Sequence, residues 1–361
     1  LGSPAPVTPL KLGLFDIMQI DPLRDGDLVT MYSQRLDDLA LADSLGFDAA
    51  FTAERHFLPQ FAAASATAWI AAASQRTSRL RLGAMAYTLP IKAPVELAED
   101  IATLDLLSNG RLEVGFGTGH RIEELIALGV DPGQRITIFQ ERLALLRALL
   151  SGGSVSFDTG GVRVRQVAVS PLAVQVPHPP LWYAGTEAMA AQWMGANGLG
   201  LAVGFRPSDQ LVPAVTAFQN GRASRTPETI AAEPARPLGA IALMRSIIVG
   251  ESDESVREDV IGDLLRLGEV INGEQSEATR AERRANANAQ FDTMIQNGVM
   301  VGGSVETVVE SLIHARETLQ FDLFLANPYA MGASPERIHT TLRLLAGPVR
   351  QGLDAKVTSL A

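Results

Sequence analysis

The chain has 361 residues, 47% of them hydrophobic, a formal net charge of −10 and no cysteine. That size supports one large core or two smaller ones, and a single elaborated domain over residues 10–350 is the simpler arrangement, since α/β barrels routinely exceed ordinary domain length. Disulfides, thiolate nucleophiles and Cys-ligated metal centres are excluded, and acidic residues scattered without any aromatic-flanked Lys/Arg cluster point away from nucleic acid.

No apolar run approaches the roughly 20 residues that span a bilayer, so no membrane partner is expected and a reducing, cytoplasmic location fits. Residues 1–9 lack a basic region followed by an apolar stretch and read as a disordered or expression-derived lead-in. From there short apolar strands alternate with longer amphipathic helices. The pattern predicts strand 11–17, helix 28–45 closed by Gly46, strand 48–53, helix 64–75, strand 80–87, helix 94–107 and strand 112–116. Pro94 suits a first helical position, where its missing N–H costs nothing. Four such βα units predict a parallel sheet with helices outside.

After helix 136–150 the rhythm breaks at Ser151-Gly152-Gly153, and 155–176 reads as a hairpin-like excursion turning at Gly160-Gly161. Strands resume at 181–184, 198–203, 240–249 and 322–326. The pattern therefore favours an α/β fold of the (β/α)8 TIM-barrel type over an open doubly wound sheet. Its insertions fall between strands four and five and between strands seven and eight. The second holds the longest polar stretch, 272–297, which reads either as a mobile lid ordering over bound ligand or as a solvated helical insertion.

A barrel gathers its strand ends at one mouth, and four of them carry informative residues. Strand two ends in Glu54-Arg55-His56-Phe57, strand three in Met85-Ala86-Tyr87, strand four in Gly117-Thr118-Gly119-His120-Arg121 and strand five in Ala184-Gly185-Thr186. Gly117 and Gly119 let backbone amides approach a ligand, with Thr118, His120 and Arg121 as added donors, so this loop is an anion holder or a glycine-rich turn. Gly185-Thr186 opens a helix whose free N–H groups favour a phosphate or serve as a plain N-cap.

The five histidines, His56, His120, His178, His314 and His339, never form a His-Glu-x-x-His pattern, and no metal is expected. The chain also lacks a P-loop, a Gly-x-Ser-x-Gly elbow and, at 115–119, a Gly-x-Gly-x-x-Gly fingerprint. Packing or solvated positions are expected for His314 and His339 in helices and for His178 in the rigid connection 177–180.

Several segments occur together and in order: Ala53-Glu54-Arg55-His56-Phe57, Arg79-Leu80-Arg81-Leu82-Gly83 through Leu89-Pro90, Glu99-Asp100-Ile101 through Leu104-Asp105, Ser108-Asn109-Gly110-Arg111, residues 115–119 and residues 176–185. Over residues 11 to about 205 and again over 302–327, the chain resembles the bacterial luciferase-like, flavin-dependent monooxygenase family. The resemblance implies a barrel that uses reduced FMN, supplied by a separate flavin reductase, and O2. Through a flavin hydroperoxide it would oxygenate a small or medium apolar organic substrate, with no nicotinamide site required.

Carried over residue by residue, His56 matches the second histidine of the family's Glu-His-His stretch and becomes the expected proton-transfer group. Arg55 stands where the first histidine would be; a guanidinium cannot act as a base, so Arg55 is expected to hold an anionic substrate group or stabilise a peroxide anion. Met85-Ala86 falls where the family often has a non-proline cis peptide against the flavin. Thr118 replaces an arginine that contacts the FMN phosphate in many members, and Arg121 is expected to compensate. Gly119, Ala184, Gly185 and Thr186 complete the expected cofactor contacts, while Phe57, Tyr87, His120 and Phe205 are expected at the substrate, with Phe15 and Tyr329 as further pocket aromatics.

Two other functions stay open. One is an F420-dependent hydride-transfer oxidoreductase on the same fold, although such relatives commonly carry Asp-His after strand two. The other is a non-catalytic flavin-binding protein. The alanine-rich faces at 62–64 and 71–73 and the helix from Pro94 lie where the family packs its homodimer, and internal packing accounts for them equally well.

Overall fold

The computed structural model describes residues 9–360, apart from 22, 23, 160, 161, 273–276 and 331. Strands β1 (Lys11–Asp16), β2 (Ala49–Thr52), β3 (Arg81–Thr88) and β4 (Leu112–Gly117) alternate with helices. The antiparallel pair β5 (Val155–Thr159) and β6 (Val162–Val167) follows, then β7 (Leu181–Ala184), β8 (Gly200–Gly204), β9 (Ile241–Val249), β10 (Met300–Gly303) and β11 (Leu323–Asn327). Parallel pairing runs β1-β2-β3-β4-β7-β8-β9-β11 and returns from β11 to β1, which closes an eight-stranded barrel.

Because both faces of a closed parallel sheet are covered, its strands are apolar nearly throughout. Phe15, Phe51, Met85, Trp182, Ala202, Ala242 and Met244 pack inside the barrel, whereas Leu14, Leu82, Tyr87, Phe116, Leu243 and Phe324 join the layer beneath the helices. Phe51 and Trp182 meet edge-on at 6.4 Å in the interior. Their bulk requires glycine on the neighbouring strands: a Cβ at Gly83 would lie 2.7 Å from the Phe51 ring, and one at Gly200 2.4 Å from Trp182. Near the N-terminal end of the barrel, buried Glu113 accepts from Arg81 Nε at 2.6 Å and from Trp182 Nε1 at 2.5 Å, so its charge is paired rather than stranded.

Two features depart from the sequence-based expectation. β10 is an added parallel strand: Ser246 of β9 is paired with Asn327 of β11 and with Met300 of β10, so β10 takes the edge that β8 leaves at Met244. Four residues, two of them glycine, carry too little periodicity to announce a strand. The excursion after strand four is strand only to Val167, because Pro171, Pro177, Pro179 and Pro180 remove the donors a longer ladder needs; its expected turn at Gly160-Gly161 lies outside the described residues.

The polar stretch 272–297, of which 273–276 lie outside the described residues, is helical where described, as the sequence suggested. It contributes helix Glu277–Gln296, docked on helix Asp253–Asn272. Val256, Val260, Ile261, Ala287, Phe291 and Met300 form a satellite core there, edged by the Arg257–Asp292 and Arg284–Glu258 ion pairs. None of its described residues lines the cavity at the barrel mouth. No helix among the described residues is long and apolar enough to cross a membrane.

Candidate active site

The C-terminal strand ends surround a cavity of about 510 Å³, inside the ~300–1,000 Å³ range of small-molecule and cofactor sites. Ala86, Gly117 and Ala184, at the ends of three adjacent strands, line one side of it with almost no side chain. A Cβ added at Gly117 would meet nothing nearer than 3.9 Å, the distance to both Ala86 Cβ and Ala184 O. The Met85–Ala86 peptide bond at this surface is cis, as the resemblance implied. Phe15, Ile17, Met85, Val203, Phe205 and Met244 supply apolar wall. The Phe15 and Phe205 rings lie 5.8 Å apart, and Phe205, at φ 56°, remains 38% exposed at the rim.

A polar wall comes from the loops after β2 and β4. Glu54, Arg55, His120, Arg121 and Glu124 all line the cavity. Arg55 Nη1 donates to His120 Nε2 at 3.2 Å, which fixes His120 as the neutral Nδ1–H tautomer. Burial, then the Arg55 charge, pushes the His120 pKa below its ordinary value. Burial likewise lowers that of Arg55, opposed by Glu124.

Buried Glu54 uses both carboxylate oxygens: Oε1 accepts from His56 Nε2 at 3.2 Å and Oε2 from Lys92 Nζ at 2.8 Å. His56 therefore sits behind Glu54 and does not itself line the cavity. Arg121 Nη1, 3.4 Å from His56 O, ties the two loops together.

Across the barrel mouth, Thr118, Gly119, Gly185, Thr186 and Glu187 line the cavity with Tyr183 and Arg135. Burial raises the Tyr183 pKa, with Glu187 acting in the same direction. Any Cβ at Gly185 would meet the Tyr183 ring at 2.5 Å, so only glycine fits beside it. Helix Ala188–Ala196 opens two residues later than expected, and its N-cap, Glu187, makes no side-chain cap, which leaves the first N–H groups available.

The structure thus brings Arg55, Met85, Ala86, Thr118, Gly119, His120, Arg121, Ala184, Gly185, Thr186 and Phe205 to one cavity. Phe57 and Tyr87 are not part of its wall. Phe57, at φ 58°, turns out to solvent and is 65% exposed. Tyr87 faces the outer layer, its hydroxyl 3.1 Å from Thr67 Oγ1, because the β3–β4 register shifts between Ala84 and Tyr87 and breaks the simple alternation of sides. Tyr329 is buried against the Arg35 guanidinium, 3.9 Å from its ring centre, also outside the cavity.

Of the other histidines, His178 is buried in its connection and His339 Nε2 pairs with Asp38 at 2.9 Å. Sequence reasoning missed Glu124, Arg135, Tyr183 and Met244. The signal for Arg135 was its place at the first turn of a helix, and for Glu124 the short acidic helix Ile122–Ala127 just after the glycine-rich loop.

The sequence model of the luciferase-like monooxygenase family matches residues 22–321. An uncharacterized protein of Sinorhizobium fredii, y4wF, is 32% identical over 246 residues, 68% of this chain and 69% of its own. The oxygenating constituent of 3,6-diketocamphane monooxygenase from Pseudomonas putida, a type II Baeyer–Villiger enzyme solved with FMN, superposes with a TM-score of 0.75 at 15% identity, over 95% of this chain and 99% of that one. An F420-dependent secondary alcohol dehydrogenase superposes with a TM-score of 0.68 at 18% identity, over 95% and 99%. The two structures share the barrel and differ in cofactor, so the likeness to them is one of fold. The family match, in contrast, takes in the strand ends β2, β3, β4 and β7 that build the cavity: the chain belongs to the luciferase-like monooxygenase family.

Proposed function

We propose that the protein is an FMN-dependent monooxygenase of the two-component type, taking reduced FMN from a separate flavin reductase and using O2 to oxygenate an organic molecule with an apolar body. The observation that carries this reading is the bare surface of Ala86, Gly117 and Ala184, where the missing Cβ of Gly117 leaves room for a flat ring against the backbone. FMN fits the residues beside it. Thr118, Gly119, Ala184, Gly185, Thr186 and Arg135 would hold its phosphate and ribityl end, using the uncapped helix start and the Arg135 guanidinium. When bound, reduced FMN supplies the electrons that activate O2.

The chain's own groups do the rest. Phe15, Met85, Phe205 and Met244 keep water from the reacting face. Glu54 is a cavity carboxylate in contact with an imidazole, and a proton arriving there passes to or from His56 along the 3.2 Å contact, with Lys92 holding the other oxygen. His56 thus keeps the proton-transfer role expected of it, exercised through Glu54.

Helices Ala66–Arg76 and Pro94–Leu107 are the proposed homodimer face, supported by the exposure of Leu106 and Leu107. The F420-dependent neighbour supports a second reading, hydride transfer on the same scaffold; Glu54-Arg55-His56 in place of Asp-His weighs against it.

Parallel titrations with FMN, reduced FMN and F420, followed by ¹⁸O₂ turnover on a substrate panel, separate the readings. FMN binding with label in the product is expected. Tight F420 binding without any response to FMN would overturn the proposal, and peroxide alone with every substrate would leave a flavin carrier.

A further inference from the structure

The Arg55 guanidinium stands in the cavity wall with an unusual set of neighbours. Nη1 is engaged by His120, whereas Nε, buried, and Nη2 have no hydrogen-bond partner among the described residues. Nε is closed off from solvent, so Nη2 is the nitrogen left to donate to an anionic ligand in the cavity. The adjacent carboxylate cannot serve, because Glu54 is taken by His56 and Lys92. On the far side the Phe61 ring, 5.7 Å from the guanidinium carbon, contributes only a weak attraction.

Charge counting points the same way. The groups that act on Arg55 and His120 are Glu124 and Arg121. Two guanidinium cations and one carboxylate, with His120 neutral, leave one positive charge without a counterpart. A cation withdrawn from water in this way is costly unless a ligand answers it.

We propose that Arg55, held by His120, binds the carboxylate of a monoanionic substrate whose apolar body lies against Phe15, Phe205 and Met244. The assignment deepens the monooxygenase reading and rests on it in one respect, that this cavity admits substrate beside the cofactor. A dianionic phosphate would overshoot the single uncompensated charge and suits the Thr186 and Arg135 side of the cavity instead.

The test uses octanoate, octanamide and 1-octanol as probes, titrated calorimetrically into the protein with and without FMN, while flavin fluorescence follows FMN and riboflavin binding separately. Octanoate is expected to bind about tenfold or more tightly than octanamide, the scale of a charge-assisted hydrogen bond. R55Q should abolish that preference, leaving octanamide and FMN binding within about twofold of the parent, and R55K, which keeps the charge without the planar guanidinium, should fall between. Equal binding of acid and amide by the unaltered protein, or an undiminished preference in R55Q, overturns the assignment. So does a loss in R55Q of FMN affinity relative to riboflavin, which would give the guanidinium to the cofactor phosphate. Acid preference that depends on Arg55 in a protein indifferent to FMN sustains the anion site and sinks the cofactor reading alone.

Discussion

On the FMN reading proposed above, Arg135 supplies the guanidinium that Thr118 does not. Seventeen positions along from Thr118, it lines the same cavity from the start of helix Arg135–Leu150. Its Nη1 also donates to Pro132 O at 3.0 Å, which braces it against its own turn. Removing a hydrogen bond to a charged group costs about 1.5–3 kcal/mol, so Arg135→Gln should weaken FMN binding about tenfold or more while sparing riboflavin, which has no phosphate. Fluorescence titration of both flavins decides it: an equal loss for the two would mean that Arg135 does not face the phosphate.

At the scale of an element, the proline-rich connection 177–180 shows how a rigid segment becomes sensitive to pH. His178 is buried there, and its Nδ1–H donates to Pro179 O at 2.7 Å. Burial, with Arg147 and Arg236 nearby, pushes its pKa down from 6.5 to about 4. Below pH 6.5 the unfolded chain therefore binds a proton that the fold refuses. The contribution of neutral His178 is fully present above that pH and is lost as pH falls toward 4, by up to about 3 kcal/mol. In His178→Gln the unfolding free energy should decline less steeply across this window than in the parent. Parallel slopes in urea titrations at pH 6.5, 5 and 4 would rule the explanation out.

Considered whole, the molecule is a barrel whose interior and outer layer share the same eight strands, with a helical hairpin added beyond β9 that has its own small core. That core meets the barrel at Ile248 of β9 but is distinct from the two barrel layers, and stability is not uniform when cores are separate. Phe291 is the only aromatic ring among its described residues. Phe291→Ala removes about 3 kcal/mol or more of local packing, so amide exchange should accelerate along helix Glu277–Gln296 while the barrel strands keep their protection. Uniform acceleration over the whole chain would show that hairpin and barrel unfold as one.

Much of this was legible in the residues themselves, because it depends on local periodicity and chain direction. Apolar strands followed by amphipathic helices dictate a parallel sheet, and a closed parallel sheet gathers its loops at one mouth, so Arg55, Thr118, His120 and Gly185 were assigned to a common site before any coordinates. Side-chain direction was not legible wherever the alternation of a strand is interrupted. The register shift in β3 turned Tyr87 outward, the positive φ at Phe57 sent its ring to solvent, and the pull of Glu54 drew His56 behind the cavity wall. Nor does a sequence reveal which charges lack a counterpart. That Glu54 is already shared by His56 and Lys92, and that Arg55 keeps a nitrogen without a partner among the described residues, are results of distance and burial across separate strands, and only the tertiary structure decides them.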